Sequence, residues 1–312
     1  MRILVVGAGA IGGYFGGRLL QAGRDVTFLV RPRRAAQLAA TGLVIKSALG
    51  DVRRVDPPTV QAEALRERFD LVLLSCKAYD LDDAIRSFAP AVGAGTGILP
   101  LLNGMRHIDV LEQRFGAVAV LGGLCVISSA LDDEGRIVHL NDAHLLAFGE
   151  RDGSRSPRAA AIEAAFAGAG FGARLSTEIV QEMWEKWVFI ATLAGVTCLM
   201  RAPIGDVLAA GGTDLATGLL AECAAIAAHQ GFAPREASRQ RNLGMLTAAG
   251  SSLAASMLRD IERGGPTEGE HMLGDLLRRA GTAPGARSLL RLACVHVATY
   301  EARRARLAAT SR

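Results

Sequence analysis

Residues 2–13 read RILVVGAGAIGG, and the order of residue types in them decides the fold. Four apolar residues, Ile3 to Val6, run straight into Gly7-Ala8-Gly9-Ala10-Ile11-Gly12, and the following YFGGRLLQAG has helical spacing. The stretch therefore predicts a strand, a glycine turn and a helix in succession. Gly7 permits the tight turn, Gly9 lets the backbone approach a pyrophosphate, and Gly12 lets the helix pack close on the strand. The amides of this turn, from Ala8 through Ala10 and Ile11, face an anion at the helix N-terminus. A glycine-rich turn alone is common, but one set at residue 7 between two strand-like runs reads as a dinucleotide site.

The second strand is expected over Asp25 to Val30, and its end is where such a site reads the adenosine ribose. Arg31 stands there, with Arg33 and Arg34 close by. An acidic side chain would accept bonds from a free 2′-hydroxyl, whereas arginine suits a 2′-phosphate, so the predicted cofactor is NADPH. Three solvated loop arginines are the alternative. Leu43 to Val55 reads as a hairpin turning at Leu49-Gly50-Asp51. Phe69 to Cys76, FDLVLLSC, is the continuous apolar run of a parallel strand covered on both faces, and it delivers Lys77 at its C-terminal end. A helix over Leu81 to Phe88 and a strand over Ile98 to Leu102 follow, the strand ending in Asn103-Gly104-Met105. Ligand crevices of open α/β sheets lie at the carboxyl ends of strands, which places Lys77 and Asn103 by topology.

Val118 to Ser129, Ile137 to Leu140 and His144 to Phe148 read as further strands, the last ones antiparallel. Arg151 to Pro157 is a loop, after which a helix and the strand Ala173 to Ser176 still belong to the sheet. From Glu178 helical periodicity takes over, broken by Ala210-Gly211-Gly212, Gly231 to Pro234, Gly264-Gly265-Pro266 and Thr282-Ala283-Pro284-Gly285. The expected fold is α/β: an N-terminal Rossmann-type dinucleotide-binding domain over residues 1–177, then an all-helical C-terminal domain over 178–312 that carries substrate and catalytic groups, with substrate in the cleft between them.

At 312 residues, half of them hydrophobic, two cores are the natural expectation. The net charge of +4 comes from scattered arginines without interleaved aromatics, which argues against a nucleic-acid partner. The five cysteines include no CxxC pair and lie mostly in apolar settings, as free thiols of a cytoplasmic protein do. No secretory signal is read at the N-terminus, and the uncharged run Trp187 to Met200 is too short to span a bilayer, so no membrane association is expected. The oligomeric state stays open, a homodimer being the assembly considered.

Lys186 sits in Glu182-Met183-Trp184-Glu185-Lys186-Trp187, just before that uncharged run. If the helix is buried, its ammonium must face a cleft or a partner, where it can polarise a ketone and protonate the alkoxide that forms as hydride arrives. The alternative is a side chain that snorkels to water. Ser256, expected within a helix over Leu253 to Ile261, could hold a substrate carboxylate. Glu268, at the start of the next helix, could accept from a substrate hydroxyl or orient the lysine. Each also reads as an ordinary residue of its place, the glutamate as a first-turn acid favoured by the helix dipole. Glu268 and His271 are a carboxylate and an imidazole at helical spacing, but a carboxylate-bridged metal site needs a second such pair, and zinc spacing is missing, so no metal is expected.

Taken in order, GAGAIGG, Arg31, CKAYD, LLNGM, WEKW, ASMLRDIERG and PTEGEHMLGDLL resemble the ketopantoate reductase (2-dehydropantoate 2-reductase) family over essentially the whole chain. The resemblance implies an NADPH-dependent reductase of a small-molecule 2-oxo acid, 2-dehydropantoate, whose product pantoate leads to pantothenate and coenzyme A. It implies that Lys186 is the catalytic lysine, Glu268 the acidic residue that helps to bind substrate, Ser256 a ligand of the substrate carboxylate, and Asn103 with Lys77 the pair beside the nicotinamide. It also implies asparagines one and two helical turns after the lysine and another shortly before the serine. Ile190, Ala194 and Leu253 stand there instead, which makes the wall beside the lysine apolar and points to a paralogous reductase of a more apolar 2-oxo acid as the alternative. A non-catalytic NADPH-binding module is a third reading, against which the retained Lys186, Ser256 and Glu268 argue.

Overall fold

The glycine turn joins a strand to a helix as its sequence requires. In this computed structural model, which describes residues 1–281, 285 and 287–310, β1 (Arg2–Val6) ends at the turn and α1 (Ala10–Gln21) begins just beyond it. There follow β2 (Asp25–Leu29), α2 (Pro32–Thr41), β3 (Leu43–Lys46), β4 (Val52–Arg54), β5 (Thr59–Val60), β6 (Leu71–Leu74), α3 (Leu81–Phe88), β7 (Gly97–Pro100), α4 (Arg106–Phe115), β8 (Gly122–Leu131), β9 (Ile137–Gly149), α5 (Pro157–Phe166) and β10 (Gly172–Leu175). Among the described residues the rest is helical: α6 (Ile179–Met200), α7 (Ile204–Ala209), α8 (Thr213–His229), α9 (Glu236–Leu246), α10 (Ser256–Glu262), a π-helical turn at Glu270–Gly274, α11 (Asp275–Arg278) and α12 (Leu289–Thr310). The chain forms two compact units, one of Met1–Leu102 with His107–Val180, the other of Asn103–Arg106 with the chain from Gln181 onward. The break expected at Thr282-Ala283-Pro284-Gly285 falls largely outside the described residues.

In the first unit the main sheet runs β5-β2-β1-β6-β7, every pair parallel. Parallel strands are covered on both faces, which is why Ile3, Leu4 and Val5 and the whole of Leu71–Leu74 are fully buried. Strand order reverses between β1 and β6. The ligand crevice of such a sheet lies outside the carboxyl ends of those two strands, where the glycine turn and Lys77 stand.

A second sheet runs β10-β9-β3-β4, with β8 antiparallel to β9. The sequence reading kept the strand Ala173–Ser176 in the same sheet as the first set; the structure puts β10 in this second sheet, and α1 lies between the two. Glycines on two faces of α1 make this possible. A Cβ at Gly16 would sit 2.6 Å from the Phe28 ring of the parallel sheet, while Cβ atoms at Gly13 and Gly17 would sit 2.5 Å from Ile137 and 2.8 Å from Ile45 of the second sheet. Only a helix bare of side chains on both faces comes this close to both. Ile137–Leu140 and His144–Phe148, expected as two strands, are one strand, β9. The expected start at Val118 is a short 3₁₀ turn over Ala117–Ala119, and β8 begins at Gly122.

The second unit is built on α6, whose Trp187 is fully buried and whose Trp184 stacks on Phe232 at 5.5 Å. Arg279, held by Asp275 at 2.9 Å, lies over both indoles. At 22 residues α6 exceeds the uncharged run that seemed too short for a bilayer; by length and composition alone it could cross one, but 72% of its apolar window is buried inside the protein. It is a core helix.

Candidate active site

Gly7 has φ +92°, a left-handed conformation that glycine adopts without strain, and its N–H donates to Leu29 O at 2.9 Å, tying the turn to the end of β2. At Gly12 a Cβ would meet Gly7 O at 2.3 Å and Ser75 Oγ at 2.1 Å, so helix and turn could not both stay in place. At Gly9, by contrast, a Cβ would meet nothing within 4 Å. Gly9 caps α1 without a side-chain bond, and the first turn holds no acid. The orphan N–H groups of that turn therefore face open space. This cradle fits the pyrophosphate of a dinucleotide. Ser75, which the sequence reading passed over, supports it from below: its hydroxyl donates to Val6 O at 2.9 Å. Its one signal in the sequence was its place at the end of an apolar strand.

The three arginines after β2 part company. Arg31, the residue before α2, is exposed and donates to Asp80 Oδ1 at 2.8 Å and Asp83 Oδ2 at 2.9 Å. These bonds raise the guanidinium pKa above its ordinary value. Arg33 is exposed. Arg34 turns back to the glycine turn, where its Nε donates to Ala8 O at 2.9 Å and its Nη1 to Gly135 O at 2.9 Å. Lys77 follows β6 half-buried and precedes the 3₁₀ turn Ala78–Asp80.

In the second unit the structure joins two of the expected residues directly. Lys186, half-buried on α6, donates from Nζ to Asn103 Oδ1 at 2.9 Å. An ammonium has three N–H bonds, and this one leaves two for a ligand. The backbone oxygen of Asn103 accepts from His271 Nε2 at 2.8 Å. His271 is 7% exposed, and burial lowers its pKa; the carboxylates of Glu268 and Asp275 oppose that shift and Arg106 adds to it. Glu268 thus belongs to the same neighbourhood, and its backbone oxygen accepts from Met272 N at 2.8 Å to open the π-helical turn.

Ser256 is the exposed first residue of α10, and Leu253 to Ala255, expected as helix, precede that helix as irregular chain. Their backbone groups bond elsewhere: Leu253 O accepts from Ile204 N, and Ala255 N donates to Thr197 Oγ1. Of the three residues that stand where asparagines were expected, Ile190 and Leu253 are half-buried and Ala194 is 3% exposed. Among the described residues no cluster of three or more His, Cys, Asp or Glu side chains could hold a metal ion.

Two family models match the chain, "Ketopantoate reductase PanE/ApbA" over residues 3–153 and "Ketopantoate reductase PanE/ApbA C terminal" over residues 178–298. The uncharacterized oxidoreductase YkpB of Bacillus subtilis is 40% identical over 97% of this chain and 99% of its own. A 2-dehydropantoate 2-reductase of Archaeoglobus fulgidus is 28% identical over 89% and 90%. The crystal structure of the 2-dehydropantoate 2-reductase of Geobacter metallireducens superposes with a TM-score of 0.86 at 28% identity, covering 96% of this chain and 99% of that one. A parallel sheet opened by a dinucleotide cradle, a helical unit built round a lysine, and matches spanning both make this chain an oxidoreductase of the ketopantoate reductase family.

Proposed function

We propose that the protein reduces a 2-oxo acid with NADPH, and that the substrate is 2-dehydropantoate and the product pantoate. The observation that carries the reading is the bond from Lys186 to Asn103: a cation kept on an apolar helix, held by a neutral amide oxygen and left with donors to spare. The first unit, in the role assigned to residues 1–177, holds the cofactor. Gly7, Ala8, Gly9, Ala10, Ile11 and Gly12 cradle the pyrophosphate, Arg31 turns from its two aspartates to the 2′-phosphate, and Lys77 and Asn103 border the nicotinamide. When bound, the reduced nicotinamide supplies the hydride that C2 of the substrate takes up.

Everything else falls to the chain's own residues. Lys186 donates a hydrogen bond to the ketone oxygen and stabilises negative charge as the carbonyl becomes an alkoxide. It then transfers one proton to that oxygen and regains it from water. Glu268 accepts from a substrate hydroxyl, Ser256 binds the carboxylate, and Asn103 aligns the ammonium. The helical unit, in the role assigned to residues 178–312, thus supplies the acid and the substrate contacts. Five free cysteines, three of them buried, support a reducing cytoplasmic setting, and a homodimer is the assembly to test by mass.

Ile190 and Leu253 favour a second reading, in which the same chemistry serves a more apolar 2-oxo acid. An apolar wall cannot bond a hydroxyl on the substrate, and each unmade bond costs about 1–3 kcal/mol. Ranking 2-oxo acids by kcat/KM for NADPH oxidation separates the two. 2-Dehydropantoate at the head of the series supports the first reading; in last place behind branched apolar acids, it establishes the second.

A further inference from the structure

A lysine side chain carries about 2 kcal/mol of rotamer entropy, so an ammonium that must meet one ketone oxygen needs something to hold it still. Its partner, Asn103, lies in a turn that is itself easily deformed, since Gly104 has φ +81° and glycine tolerates both signs of φ. We propose that His271 is the positioning residue of this site: it clamps the Asn103-Gly104 turn and thereby fixes the Asn103 side chain and the Lys186 ammonium. The proposal rests on the reading of Lys186 as the proton donor.

Three hydrogen bonds close a circuit. Lys186 Nζ donates to Asn103 Oδ1 at 2.9 Å, His271 Nε2 donates to Asn103 O at 2.8 Å, and Trp187 Nε1 donates to Met272 O at 2.9 Å. Lys186 and Trp187 are neighbours in the chain, as are His271 and Met272, so each end of the clamp is anchored to the same two elements. The imidazole also lies close against the turn it holds, for a Cβ at Gly104 would come within 3.2 Å of His271 Cδ2 and 3.3 Å of Nε2. With φ +81° and the ring this near, a larger residue at this position is strained and presses on the imidazole. The π-helical geometry of Glu270–Gly274 is rare and gathers at functional sites, and here it carries both the imidazole and the carbonyl that Trp187 holds.

A carbonyl oxygen only accepts, so Nε2 carries the hydrogen. Burial keeps the ring below its ordinary pKa against the pull of Glu268 and Asp275 and with the push of Arg106, which makes the neutral Nε2–H tautomer the working form. His271 meets Asn103 through this hydrogen. Its effect passes through Asn103.

The test compares His271→Phe, which keeps a ring without a donor, and His271→Gln, whose amide nitrogen has similar reach, with Lys186→Ala. NADPH oxidation is followed with the 2-oxo acid that the wild type turns over fastest, and NADPH affinity by fluorescence. The expected result is a kcat about 10- to 100-fold lower in His271→Phe, with NADPH affinity within about twofold of wild type, and recovery of most of that loss in His271→Gln. Nitrogen-15 spectra of the wild type should show the Nε2–H tautomer, a readout that needs no variant to fold. Wild-type kcat in His271→Phe beside an inactive Lys186→Ala would overturn the clamp while leaving the acid in place, as would a His271→Gln no better than Phe or an Nδ1–H tautomer. Full activity in Lys186→Ala would remove the reading underneath.

Discussion

A charged side chain on a buried helix costs several kcal/mol unless something satisfies it, and the partner given to Lys186 is an amide oxygen rather than a carboxylate. A carboxylate would bind the ammonium through a stronger, charge-assisted bond and compete with the alkoxide for it. Asn103→Asp is therefore expected to lower kcat by about tenfold or more although it preserves an acceptor at the same place, and steady-state rates of Asn103→Asp and Asn103→Ala will show whether both fall. At the other end of the cofactor, Arg31→Ala should weaken NADPH by about tenfold and NADH little, whereas Asp83→Ala, which releases Arg31 from one of its two carboxylates, should tighten NADPH. Equal losses for the two cofactors in Arg31→Ala would remove the 2′-phosphate assignment. Lys186 and Asn103 were legible because a cation before an uncharged run and a polar residue at a strand end are both local anomalies. His271 was not, because its meaning lies in a bond to a backbone oxygen 168 residues away, and no side-chain pattern records that.

The glycines of α1 and its N-cap divide into two kinds. Gly12 is required by packing, since its Cβ would strike backbone at 2.3 Å, while Gly9 is surrounded by open space. Gly12→Ala should destabilise the protein by several kcal/mol, measured by urea unfolding. Gly9→Ala should unfold like the wild type yet bind NADPH at least about tenfold more weakly, because the methyl group enters the space of the pyrophosphate. Undiminished NADPH binding in Gly9→Ala would contradict the cradle. On α6, Glu185 is 5% exposed beside Lys186 and ties the start of α9 through Arg235, whose backbone N–H and guanidinium both donate to it. Burial pushes this carboxyl up, and the bonds from Arg235 outweigh burial to hold it below the usual range. A depressed carboxyl stabilises the fold above its unfolded pKa of about 4.3 and loses that contribution as pH falls through the folded value. Glu185→Gln should accordingly cost about 2 kcal/mol at pH 7, with the difference in urea midpoint from wild type shrinking below about pH 4. The ends of α1 and α3 were readable from turn residues and periodicity. The unity of β9 was not, because exposed Asn141 and Asp142 interrupt its apolar pattern, and the pairing with β8 shifts register between His139 and His144 before it resumes.

For the whole molecule, the sequence carried the succession of a parallel α/β part and a helical part, because short strand-like runs stop and helical spacing alone continues from about residue 178. It did not carry the second sheet, since strand-like segments announce their faces but not their partners, and β3 and β10 reach β9 across long stretches of chain. Nor did it carry the membership of Asn103–Arg106 in the helical unit, which follows from the bonds that Lys186 and His271 make to one residue. Burial pushes the Cys198 and Cys223 thiols up to about 12, which keeps these two protonated. The proposed reaction turns on one proton. The rate of NADPH oxidation by Lys186→Ala, at saturating NADPH and with the 2-oxo acid that the wild type prefers, measures it most directly. A kcat lowered by about 10²- to 10⁴-fold with NADPH affinity retained is the expected result, and a rate equal to that of the wild type would contradict the assignment of Lys186 as the acid.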